Sequence, residues 1–80
     1  MITTARKAAD AAKKVLKRSI VIKSVDGVNG YTICIGYTDR HDDRAYDAIT
    51  TAIGHENLGF GKIEICAEMA GHGVSTVEVV

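Results

Sequence analysis

Proline and tryptophan are absent from this 80-residue chain, cysteine occurs twice, and the formal net charge is zero. With no proline and no linker, low-complexity tract or block of like charge, residues 1–80 read as one domain around one core. Cys34 and Cys66 lie far apart in sequence and match no paired metal spacing, so neither a disulfide framework nor a zinc site is expected. In a reducing compartment they read as free thiols on strands. No apolar run approaches the roughly 18 residues of a membrane span. Residues 1–18 lack the apolar segment of a signal peptide, which sets the expectation of a cytoplasmic protein. The cancelled charge removes the polycation that binds nucleic acid indiscriminately.

What is present is globular. Apolar residues make up 46% and charged residues 25%, close to the average for folded domains. A chain this short buries only about 60% of its unfolded surface, near the lower limit for folding unaided.

The order helix, strand, strand occurs twice. Ala5, Ala8, Ala9, Ala12, Val15 and Leu16 recur at helical spacing after Thr3 or Thr4, either of which suits an N-cap. An alanine stripe predicts a helix that approaches a sheet closely. Ser19 to Val25 and Tyr31 to Thr38 read as strands, the second with Tyr31, Ile33, Ile35 and Tyr37 inward. Asp26-Gly27 and Asn29-Gly30 are turn signals, and a four-residue loop from Asp26 to Asn29 is expected to match Ile22 with Ile33.

Asp39, Asp42 and Asp43 favour a helix N-terminus. Ala45, Ala48, Ile49, Ala52 and Ile53 form that helix's apolar face, with Gly59 as its expected stop. Lys62 to Met69 and Val74 to Val80 are the last strands. A three-residue loop at Gly71-His72-Gly73 is expected to join them as a hairpin, with Val77 and Val79 buried and Glu78 exposed, because a four-residue loop would bury that charge. The expected fold is α+β, in αββαββ order, with a four-stranded, mainly antiparallel sheet and both helices on one face.

The side chains that carry chemistry are scattered. His41 and His55 fall near opposite ends of the second helix and His72 in a loop, which predicts no metal site and no cofactor. Asp42 and Asp43 are adjacent, so they do not face each other as an acid–base pair. Cys34 reads as a packed strand thiol. Leu58 to Ile65 partly matches an RNA-recognition signature, but Lys62 and Ile65 stand where stacking aromatics belong. Gly59-Phe60-Gly61-Lys62 precedes a strand, whereas phosphate loops open a helix. No catalytic role is expected.

Charge is unevenly distributed. Residues 1–18 hold six of the ten basic residues and one of the ten acids, a net of +5, against −5 for the remainder. Arg6, Lys7, Lys13, Lys14, Lys17 and Arg18 occupy the polar arc of the first helix. They read either as a solvated face or as an electrostatic footprint for phosphate or an acidic protein surface. Alanine opposite them, in place of bulky apolar residues, argues against a membrane-surface helix. Val21, Val25, Val74 and Val80, on the outer sheet face, form a secondary candidate surface, and the last strand offers an edge for a homodimer.

Size, element order and the lack of chemical motifs make the chain resemble the short phage-encoded inhibitors grouped as anti-CRISPR proteins. That resemblance implies steric or electrostatic blockade of a nucleic-acid-binding complex. The leading expectation is a non-catalytic binding protein that docks on a protein or nucleoprotein partner. The alternatives are direct nucleic-acid binding through the basic helix, and a small enzyme or ligand carrier whose Cys and His chemistry only the fold assembles.

Overall fold

The alanine stripe forms the first helix, α1, Ile2–Leu16, on which Ala5, Ala8, Ala9 and Ala12 are all completely buried. The computed structural model describes residues 2–25, 27–36, 43–67 and 75–80, with Val28 described in its backbone alone. Helical geometry already includes Thr3 and Thr4, so neither is the expected cap. Small side chains let α1 lie against the second helix as well as the sheet. It ends in an unusual way: Lys17 takes a left-handed φ of 56°, and its N–H donates to the Lys13 carbonyl at 2.7 Å. Such a terminus commonly holds glycine, because a Cβ is strained there.

Strands β1 (Val21–Val25) and β2 (Val28–Cys34) form the predicted hairpin, with Ile22 opposite Ile33. The connection is shorter than expected. A register shift after Ser24 pairs Val25 with Val28, leaving only positions 26 and 27 between the strands.

Helix α2 runs Arg44–Ile53 and buries Ala45, Ile49 and Ile53, whereas Ala52, expected inward, is exposed. Asp43 precedes it without making a side-chain cap. The helix stops at Gly54 rather than Gly59, because Gly54 adopts a φ of 84° and donates its N–H to the Thr50 carbonyl. A single 3-10 turn, His55–Asn57, follows, and the Asn57 amide caps the Ile53 carbonyl at 2.6 Å.

The topology corrects the sequence reading at the last two strands. β3 (Ile63–Cys66) pairs parallel to β2, and β4 (Ser75–Val79) pairs antiparallel to β1, giving the order β3-β2-β1-β4. The two therefore lie on opposite edges and are no hairpin, so loop length at residues 71–73 cannot set their register. β1 sets it. Glu78 opposes the core residue Ile22, and its carboxylate accepts from Arg6 Nε of α1 at 2.8 Å. Glu78 thus points to the helix layer, while Val77 and Val79 are exposed at 45% and 58%. The charge is tolerated because it lies at the sheet edge with a cation over it, where burial is incomplete.

Ile22, Ile33 and Ile63 from the sheet, with Ile20 and Ile35 flanking its strands, meet the α1 alanines and Ala45, Ile49 and Ile53 of α2 in one core. Both helices therefore share one face. Gly30 in β2 lets the Gly61–Lys62 backbone pass close by: a Cβ there would lie 2.6 Å from the Lys62 carbonyl oxygen. Among the described residues no helix is long and apolar enough to cross a membrane.

Candidate docking surface

Folding divides the six cations of the first helix into two groups. Arg6 is held in its ion pair with Glu78, and Arg18 is half-buried, its guanidinium donating to the Gly36 carbonyl two residues past β2. Arg6 ties α1 to the edge of the sheet, and Arg18, two residues past the helix, ties the α1–β1 connection to the segment that follows β2, so both are engaged within the fold. Lys14 sits 3.5 Å from Asp10 in an exposed i,i+4 pair, an arrangement that contributes only a few tenths of a kcal/mol, about 0.3–0.5, and competes weakly with a partner's charge. Lys7, Lys13 and Lys17 are exposed, and their side chains bond no described residue. The candidate footprint therefore contracts to Lys7, Lys13, Lys14 and Lys17. Because α1 ends at Leu16, Lys17 departs from the helical ridge and projects from the left-handed turn.

Beside this footprint, an open groove of about 520 Å³ runs between α1 and α2. Ala11, Val15, Ala48 and Ala52 supply apolar walls, and Lys7 and Asp47 are among the residues lining it. A second concavity, about 440 Å³, lies near the β3 edge, where Tyr46, His55 and Glu64 line Leu58, Ile63 and Ile65. Of the three histidines, His55 falls within the described residues, in the 3-10 turn. Among those residues no three or more His, Cys, Asp or Glu side chains gather.

The valine surface is only partly where the sequence placed it. Val21 and Val25 are half-buried strand residues. Val80 is a correction: it packs against the helix-side core, and its backbone exchanges both hydrogen bonds with Ile20. Val79, opposite Val21, takes its place on the outer face. Val74, His41, His72, Asp39 and Asp42, and the loop at residues 71–73, lie outside the described residues. Of the sheet's two edge strands, β3 and β4, the last strand β4 carries a bulge: Val77 is an extra residue between the Ile22–Glu78 and Lys23–Thr76 pairs. Such bulges twist an edge away from strand addition, which weighs against a dimer through it.

Sequence reasoning missed the relation between the cysteines. Cys34 and Cys66 are direct partners across β2 and β3, both thiols free, with Cys34 buried and Cys66 half-buried. Burial pushes the Cys34 thiol above its ordinary value, Cys66 pushes the same way, and Lys23 pulls it down. Their separation in the chain gave no hint of this, because parallel pairing across a helical crossover joins distant positions.

No protein-family model, curated protein or solved structure matches the chain.

Proposed function

We propose that the protein is a non-catalytic binding module whose basic α1 face docks on an acidic protein or nucleoprotein partner. Three exposed lysines with no bond to any described residue carry this reading: Lys7, Lys13 and Lys17. Lys17 adds to it. A lysine holds a left-handed position where glycine would be less strained, and strain of this kind concentrates at functional positions. Cations near the C-terminal end of α1 also suit the helix dipole, but that benefit extends neither to Lys7 nor to the strain at Lys17. The inhibitor role implied by the resemblance, blockade of a nucleic-acid-binding complex, is the specific form of this proposal.

Replacing Lys13 and Lys17 with Glu tests it. Exposed substitutions usually change stability by no more than about 0.5 kcal/mol, whereas like charges brought together at an interface cost several kcal/mol. Wild-type protein should retain a partner from native lysate that the double mutant, equally folded by circular dichroism, does not. A nucleic-acid partner would also give affinity that falls steeply with salt through counterion release. Equal recovery by both proteins would reject the α1 surface as the docking face.

A further inference from the structure

The outer sheet face brings together four side chains that the docking surface leaves unused. Cys34 and Cys66 oppose each other in register on β2 and β3. Neighbouring strands lie about 4.8 Å apart and opposed residues share a face, so the two thiols stand side by side away from the helices. Lys23 of β1 opposes Thr32 on this face. Its side chain is half-buried and makes no ion pair with a described residue. The Thr32 hydroxyl, two positions before Cys34 on the same face, is completely buried and has no hydrogen-bond partner among the described residues. Buried polar groups are normally paired, and one left alone needs an explanation.

We propose that Cys34 and Cys66 form a binding site for a soft monovalent metal ion of the cuprous class, held between their two Sγ atoms beside Lys23. Each thiol loses a proton to solvent and each sulfur forms one bond to the ion. No electron is transferred, and the product is a bis-thiolate complex with one negative charge and two released protons. Lys23 supplies the matching positive charge on a face where an unpaired anion would be costly. The donor set selects the class. Zinc takes four ligands in its structural sites, and among the described residues no three His, Cys, Asp or Glu side chains are placed to hold one metal ion. Calcium and magnesium take oxygen ligands, whereas thiolates favour cuprous ion. Half-buried Cys66, on the edge strand β3, provides the route of entry.

The test uses reduced protein under anaerobic conditions, with cuprous ion titrated against the coloured chelator bicinchoninate. Wild type should withdraw one equivalent from the chelator, and Cys66→Ala should withdraw none while keeping its far-ultraviolet circular dichroism. Lys23→Gln should keep the stoichiometry and lose roughly 10- to 100-fold in affinity, as removal of outer-shell partners does at metal sites. Copper-edge X-ray absorption of the wild-type complex provides a readout independent of variant folding, and should show a shell of two sulfurs. Failure of the wild type to compete, undiminished binding by folded Cys66→Ala, or a shell of nitrogen and oxygen would each overturn the proposal.

Discussion

Gly30→Ala should destabilise the domain although it is ordinarily a stabilising type of change. Glycine to alanine at a backbone that tolerates alanine gains about 0.4–1 kcal/mol by restricting the unfolded chain. Gly30 lies in β2 without a positive φ, so backbone conformation presents no obstacle. The obstacle is steric. A Cβ would lie 2.6 Å from the Lys62 carbonyl oxygen and 2.9 Å from the Gly61 carbonyl carbon, both backbone atoms that cannot swing aside. That same Lys62 oxygen accepts the Tyr31 N–H at 2.9 Å, one of the bonds that dock the start of β3 on β2. Overpacking costs about 1–3 kcal/mol, and losing this partly solvated hydrogen bond costs about 0.5–1.5 more. Net of the entropy gain, about 0.5–4 kcal/mol should be lost. A domain of this length has about 4–12 kcal/mol in total, so the midpoint of urea unfolding by circular dichroism should fall visibly. Melting should drop by roughly 4–8 °C for each kcal/mol. Gly27→Ala is the control: nothing lies within 4 Å of its Cβ position, but its φ is 71°, so strain of about 1–2 kcal/mol is its only penalty. A Gly30→Ala protein as stable as wild type, or more so, would refute the close approach of the β3 entry to β2.

Lys17→Gly should raise stability by about 0.5–1 kcal/mol, since relief of left-handed strain exceeds glycine's added entropy; thermal melting checks it, and a lower melting point would count against the left-handed terminus. A double-mutant cycle on Arg6 and Glu78 should give a coupling of about 0.2–1 kcal/mol that shrinks with salt, because both side chains are partly solvated; zero coupling at low salt would argue against the pairing. Iodoacetamide should label Cys66 before Cys34, read by peptide mass spectrometry, because Cys34 is buried. The raised pKa of Cys34 favours its protonated form in the fold. Its contribution to stability should therefore be full below the ordinary value of 9.0 and be lost as pH rises past it toward the folded value. Urea midpoints for wild type and Cys34→Ala that run parallel across that range would contradict this.

Periodicity and residue chemistry alone determined a good deal of this protein. Alanine at helical spacing specified the buried stripe of α1, and alternation in β2 specified the inward Ile33 that meets Ile22. Both signals are local, because one residue's face follows from its neighbours in the chain. The clustering of lysines on α1 was legible for the same reason, although only the fold showed that Arg6 and Arg18 are engaged elsewhere. Strand order was decided by tertiary structure. Which strand β4 joins depends on pairing between distant segments, and a β3–β4 hairpin and an edge-to-edge crossover share one local pattern. Once β4 joined β1, with an extra residue at Val77, Glu78 turned toward Arg6, Val80 turned to the core and Val79 turned outward. A shift of one residue exchanges the faces of a strand. The meeting of Cys34 with Cys66 has the same origin: parallel pairing of β2 with β3 joins two positions whose separation along the chain carries no information about their distance in space.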